Sequence, residues 1–457
     1  LREEIQQENK MGVMPINKLL IAMALPMMAS MLVQALYNIV DSAFVARVNE
    51  NALTAVSMAF PVQSLMISVG VGTGVGVNAL LSRNLGEKNF ESANLAARNG
   101  LFLSLASYLA FALFGLFCSR MFFEVQISDA QVITYGTQYT MTVTGLSFGA
   151  FLVIMSERLL QSTGLTVYAM ISQLTGAIIN VILDPILIFG LLGFPRLEVL
   201  GAALATVIGQ IVGMVLSLYL NVKKNQEINI NMRGFRPHLP TIKGIYKVGL
   251  PSIIMQAISS VMVFGMNKIC MQYLSALAVN VFGIYFKLQS FVFMPVFGLN
   301  NGMVPIVAYN YGARNKKRIM ETIRLSVLLA VGIMLAGLVI FQVFTPQLLG
   351  IFKASEETLA IGVPALRIIS LSFIFAGYCI ILGSVFQALG NGSYSLINSI
   401  VRQMVVILPV AYLLARLWKP EALWWSFPIA EISSVILSTL MLHWIYKEKI
   451  APLGNVA

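Results

Sequence analysis

The feature that most constrains this chain is a stretch of about 20 apolar residues that recurs along its whole length. Read at that length, the sequence predicts twelve spans: 17–45, 53–80, 93–118, 132–157, 166–192, 199–222, 244–272, 276–305, 318–345, 358–385, 394–417 and 422–446. Lipid offers no partner to a bare peptide group, so each span is expected to be helical. Several exceed the minimum length, which predicts tilt or protrusion. The 457 residues are only 11% charged, where a soluble domain carries about 25%. The expected class is an all-α integral membrane protein.

Charge then orients the chain. With the N-terminus in the cytoplasm, 21 of the 30 basic residues fall on inner segments, 8 on outer ones, and Lys287 lies mid-span. Basic residues on short loops favour the cytoplasm. Both termini are therefore expected inside, in a multi-pass plasma (inner) membrane protein. The net charge of +11 follows from those loops. They carry no interleaved aromatics, so no nucleic-acid partner is expected. Cys118, Cys270 and Cys379 are widely spaced in apolar stretches and suggest neither a disulfide framework nor a zinc site. With His238 and His443 the only histidines, metal catalysis is not expected. No nucleophile–base cluster is evident, so no enzyme and no cofactor is expected. The polar start "LREEIQQENK" reads as a short lead-in helix rather than a cleaved signal peptide.

The spans repeat. "SRNLGEKN" at 82–89 matches "AYNYGARN" at 308–315, and "LLQSTGLTVYAM" at 159–170 matches "VFQALGNGSYSL" at 385–396. Gly86 and Gly312, Gln161 and Gln387, and Tyr168 and Tyr394 all stand at one offset in numbering, 226; Pro26 and Pro251 stand at 225. Each half has an even number of spans, so the repeats run parallel, as in many transporters. The predicted organisation is a lead-in (1–15), an N-lobe of six spans (16–222), a basic linker (223–243), a C-lobe of six spans (244–446) and a tail (447–457). Two pseudo-symmetric six-helix lobes around a central cavity are expected, in a monomer.

Charges inside spans are costly and usually functional. Asp41 lies 23 residues after Lys18, roughly 35 Å along a helix. Gln34, Tyr37 and Asn38 precede it on the same face. A polar stripe of that kind is expected to face protein or water rather than lipid; a solvated outer position is the alternative. Asp184 lies 17 residues past Val167, roughly 26 Å along span five and at similar depth. Asn180 stands one turn before it and Pro185 follows. The alternative there is a kink aspartate held by nearby backbone. Two carboxylates in one low-dielectric lobe resist being charged together, so the pair could cycle a proton. Their oxygens, with those of Asn180, could instead hold Na+, and either ion could compete with a cationic substrate. In the second half, Lys287 and Glu431 lie at similar depth and are expected to form a structural ion pair, with a part in coupling as the alternative. Arg367 and Arg402 are expected to snorkel from span ends. Gly72 and Gly76 in "GVGTGVG" read as close helix packing, and Pro26 as a bending point or static kink. The repeat does not extend to the acids: Asp41 falls opposite Met266 or Asn267, and Asp184 opposite Val410.

With these features in view, the chain resembles the multidrug and toxic compound extrusion (MATE) family over about residues 15–446. The passages that carry the likeness are "LPMMASMLVQALYNIVDSAFVARV", "GVGTGVGVNALLSRNLGEKN", "LLQSTGLTVYAMISQLTGAIINVILDPILIFG" and "GLNNGMVPIVAYNYGARN". The acid placement is similar to the DinF/MepA-like branch. The resemblance implies a twelve-helix antiporter that exports drug-like, often cationic or amphipathic compounds in exchange for H+ or Na+. It implies that Asp41, Asn180 and Asp184 couple the ion, with Tyr37 beside them and Thr206 joining from span six. The acids that the NorM-like branch carries on spans seven and ten are missing here, which favours coupling in the first lobe. H+ is the expected ion, and Asp41, Asn180 and Asp184 are the place for Na+ if it binds. The alternative function is a lipid or lipid-linked saccharide flippase of the same superfamily.

Overall fold

The structure, a computed structural model, describes residues 8–454. Leu1–Gln7, the first part of the expected lead-in, lie outside the described residues. Asn9 caps the short helix α1 (Lys10–Val13) by accepting from the Met11 amide at 2.9 Å.

Among the described residues, ten helices are long and apolar enough to span a bilayer by themselves. They are α2 (Ile16–Ala46), α3 (Glu50–Gly86), α4 (Phe90–Glu124), α7 (Thr166–Phe189), α8 (Val199–Lys224), α9 (Leu239–Tyr273), α10 (Ala276–Gly312), α11 (Lys316–Val343), α15 (Gly392–Leu417) and α16 (Pro420–Ile450). Two further spans are broken. One is α5 (Ala130–Gly145) with α6 (Phe148–Ser162), bent by 45°. After the short α12 (Thr345–Gly350) comes the other, α13 (Glu356–Ser370) with α14 (Phe373–Ala388), bent by 48°. Counting each bent pair once gives the twelve expected spans.

The repeat is written into the helix ends. Asn89 and Asn315, equivalent in the two repeats, each cap a helix through the amide three residues on. Asn49 and Ser275 do the same at the same offset, as do Asp129 and Ser355. Lys88 and Arg314, again equivalent, both take the left-handed conformation at φ 57°. The two breaks also correspond. Leu146-Ser147-Phe148 and Leu371-Ser372-Phe373 are the same tripeptide, at the offset that relates Pro26 to Pro251. In each, the serine hydroxyl turns back on the carbonyl three residues earlier, Thr144 at 2.7 Å and Ile369 at 2.6 Å. The same carbonyl also accepts from that serine's own amide, at 3.2 Å for Ser147 and 3.0 Å for Ser372, so a tight turn closes each first segment. The sequence reading takes each of these spans, 132–157 and 358–385, as a single stretch; the structure divides each at its Leu-Ser-Phe tripeptide.

The chain forms two compact units. One runs continuously from Ala29 to Ile253; the other joins the residues up to Met28 to those from Ile254 on. The change of unit thus falls inside α2 and α9, shortly after Pro26 and Pro251, rather than in the linker. Glycines make this division possible. In the continuous unit, a Cβ at Gly76 would lie 2.1 Å from the Ile245 carbonyl oxygen, so the first half of α9 sits directly on α3. In the other unit, a Cβ at Gly302 would lie 2.7 Å from Ala24 Cα, so the first half of α2 sits on α10. Gly76 and Gly302 are themselves equivalent positions of the repeat. Such small-residue contacts let helix backbones approach where no water drives association.

The continuous unit is filled by Val45, Met66, Phe123, Phe151 and Ile188, together with the alanines of α3 and α8. The other unit clamps the N-terminal segment. Arg318 donates through Nη2 to the carbonyls of Met11 at 2.9 Å and Met14 at 2.8 Å, and through Nε to Asn310 Oδ1 at 3.0 Å.

Candidate cation site

The site lies in the continuous unit, where α2, α7, α8 and α5 converge. α7 and α8 meet through glycine: a Cβ at Gly209 would stand 2.6 Å from the Gly176 carbonyl oxygen and 3.1 Å from Asn180 Cβ. This approach brings Asn180 to Thr206, and Asn180 Nδ2 donates to Thr206 Oγ1 at 3.1 Å. The Tyr37 hydroxyl, from α2, also comes within hydrogen-bonding reach of Thr206. One turn beyond Asn180 on α7 is Asp184, fully buried, and its carboxyl faces that of Asp41 within hydrogen-bonding reach. The two acids are far apart in sequence and meet only through the packing of α2 on α7.

These groups supply many acceptors and few donors. Asp41 Oδ1, both carboxyl oxygens of Asp184 and Asn180 Oδ1 are buried without a hydrogen-bond partner. Pro185 has no N–H to offer the Val181 carbonyl, which adds backbone oxygen on the same stretch of α7. Buried acceptors left this way cost about 1–3 kcal/mol each, more when charged. Two carboxylates facing each other also repel. At 4 Å and an effective dielectric of 20 the repulsion is about 4 kcal/mol. A proton held between the carboxyls, or a small cation among the oxygens, relieves both costs. The donor set is all oxygen, which suits a hard monovalent cation. Among the described residues no group of three or more His, Cys, Asp and Glu side chains gathers as for a transition metal.

The sequence-predicted residues separate into two groups. Asp41, Asp184, Asn180, Tyr37 and Thr206 come together. Gln34 and Asn38 bond to each other at 3.3 Å, with Gln34 also accepting from Gln173 Nε2 at 3.4 Å and Asn38 exposed, so they form a separate polar strip on α2. Gln173 in turn accepts from Ser30. Sequence reasoning missed Tyr139 and Gln63. Buried Tyr139 on α5 accepts from Gln63 Nε2 at 2.9 Å and stands close to Asp41, Tyr37 and Asp184. The first half of span four, "AQVITYGTQYTMTVTG", is rich in Thr and Gln, but Tyr139 shares one face with Val132, Gly136 and Val143, and that spacing was the signal that could have found it.

The expected pair of Lys287 and Glu431 does not form. Glu431 pairs with Arg402, Nη1 to Oε1 at 2.9 Å, and Lys287 stands over the Phe352 ring at 5.8 Å. Depth along a span does not fix the face. Lys287 shares the exposed side of α10 with Gly283, while Tyr285 and Leu288 point inward. Arg402 lies in a π-helical stretch, Val401–Ile407, and turns inward instead of snorkelling.

A family model described as MatE matches residues 26–186 and 251–413, two segments that begin at the equivalent prolines Pro26 and Pro251. The chain belongs to the MatE family. Each matched segment of this MatE protein lies within one of its two repeats. Its relative "Multidrug export protein MepA" of Staphylococcus haemolyticus is 27% identical over 430 residues, covering 94% of this chain and 93% of that protein. Among solved structures, a MATE crystal structure in the straight conformation superposes with a TM-score of 0.91 at 25% identity, over 98% of this chain and 99% of that one. A MATE structure in the bent conformation does so at 0.89 and 25%, over 98% of each chain. The MatE fold is therefore shared over nearly the whole chain, with ten to twelve membrane-crossing helices.

Proposed function

We propose that this MatE protein is a cation-coupled antiporter that exports drug-like, often cationic or amphipathic compounds by alternating access, with H+ as the coupling ion. The observation that carries the reading is the facing pair Asp41 and Asp184, sealed among oxygens that have no donor. Its relatives' description as multidrug export proteins supports the exported class. In this reading both termini are cytoplasmic and the protein works as a monomer in the plasma membrane.

The residues divide the work as follows. With both carboxyls ionised, the site holds two negative charges and attracts a cation. A proton taken up by Asp41 turns an acceptor facing an acceptor into a donor facing an acceptor, so Asp41 and Asp184 can bond directly. That change draws α2 toward α7 and lowers the negative charge that favours a cationic substrate. Asn180 and Thr206 keep α7 and α8 in register throughout, and Tyr37 links α2 to that pair. Na+ would be held by Asp41, Asn180 and Asp184.

The test is transport of a fluorescent organic cation by purified protein in lipid vesicles, under an imposed pH gradient and separately under a Na+ gradient. Wild-type protein should respond to the pH gradient, and Asp41→Asn should lose that response while remaining folded. Full gradient-driven transport by Asp41→Asn overturns the reading. A lipid-scrambling measurement on the same vesicles tests the flippase alternative, which predicts lipid movement without ion coupling.

A further inference from the structure

Among the described residues of the second unit, one buried acid is not used by the mechanism above. Glu431 on α16 is 7% exposed, and its Oε2 has no hydrogen-bond partner. Its Oε1 is held by Arg402 Nη1 at 2.9 Å. The other titratable groups facing it are Tyr285 from α10 and the Cys379 thiol from α14.

The position of this pair in the repeat is informative. Glu431 stands to Thr206 at the same offset as Pro251 to Pro26 and as the second helix break to the first. Arg402 lies one turn before Val406, and Val406 is the repeat equivalent of Asn180. The same two helices of each repeat are thus linked at nearly the same level. In the continuous unit the link is Asn180 to Thr206, beside two acids with no cationic partner. In the other unit the link is a guanidinium on a carboxylate, and the charges cancel.

We propose that Arg402 is a built-in cation: its guanidinium fills a monovalent-cation position at Glu431, and exchangeable cation binding is thereby confined to Asp41 and Asp184. The site itself stands on the geometry of the second unit; only its meaning for coupling rests on the antiport reading. A fixed cation cannot leave, so the second unit contributes no ion to the cycle. Removing the guanidinium leaves a buried carboxylate with no counter-charge, which must then hold a proton or recruit a cation from solution.

Three forms of the full chain decide it: wild type, Arg402→Gln, and Arg402→Gln with Glu431→Gln. Infrared difference spectra read a protonated carboxyl, and equilibrium binding of radioactive Na+ reads the metal ion. Arg402→Gln should gain one protonated carboxyl or one bound Na+ per chain over wild type, and the double variant should lose that gain. Folded Arg402→Gln with neither gain overturns the proposal. If Arg402→Gln does not fold, the apolar pair Arg402→Met with Glu431→Leu decides instead, since apolar replacement of a buried ion pair is commonly tolerated. Its ratio of ions to substrate should equal that of wild type, and a lower ratio overturns the proposal. Failure of the antiport reading is distinguished by Asp41→Asn, which leaves the infrared comparison at Glu431 intact.

Discussion

Gly209→Ala tests whether the spacing of two helices sets the candidate site. The added Cβ would stand 2.6 Å from the Gly176 carbonyl oxygen, where ordinary contact begins at 3.4 Å. That oxygen is backbone on α7, so relief requires the helices to part by about 0.8 Å, the difference of those two distances. Thr206 lies one turn before Gly209 on α8, and the same opening stretches its 3.1 Å bond from Asn180 to about 3.9 Å. A hydrogen bond is lost at that length. The expected stability loss combines about 1–3 kcal/mol of overpacking with about 1 kcal/mol for the bond. The functional loss is expected to be larger, because a shift of about 1 Å at a working site can cost about 100-fold. Gradient-driven efflux from vesicles should therefore fall by about 10- to 100-fold while the protein stays folded in a thermal scan. Gly283→Ala, where the added carbon meets nothing within 4 Å, should transport as wild type. Equal transport by Gly209→Ala and wild type would refute the link between helix spacing and the site.

Other perturbations separate the remaining roles. Thr206→Val keeps the shape but removes the partner shared by Asn180 and Tyr37, and should lower thermal stability by about 1–3 kcal/mol for each group left unsatisfied. Arg402→Met should cost about 3–5 kcal/mol by stranding Glu431, whereas Lys287→Met should be nearly neutral in the same unfolding measurement. Arg318→Ala should free the N-terminal segment, read as faster hydrogen exchange over residues 9–15 with the spans still protected. Equal exchange there would mean that other contacts hold α1.

The twelve spans were legible because lipid permits few alternatives to a helix of about 20 apolar residues. The constant offset carried more than fold class, since it reappears in the caps at Asn49, Asn89 and Asp129 and their counterparts. Asp41 and Asp184 were found because an acid in a span is rare, and their joint depth followed from rise per residue. Facing was harder to read. Tyr139 sits on the Val132–Gly136–Val143 face of a Thr-rich helix whose polar composition drew attention away from that spacing, and Arg402 was misplaced because a π-helical stretch alters the face that a residue presents. The breaks at Ser147 and Ser372 left a sequence signal that went unread, a Leu-Ser-Phe tripeptide repeated at nearly the common offset. Where the compact units divide could not be read from hydropathy, because the change falls inside two continuous apolar helices.

That division has a consequence for how the protein is made. The strip of α2 around Ala24 finishes its packing only when Gly302 arrives, with more than half of the chain synthesised in between. At about 5–20 residues per second of synthesis, the delay is about 14–56 s. During that interval α2 is complete as a helix yet half without its partners. Nascent-chain crosslinking from Ala24 should therefore find lipid or insertion machinery until α10 emerges, and α10 afterwards.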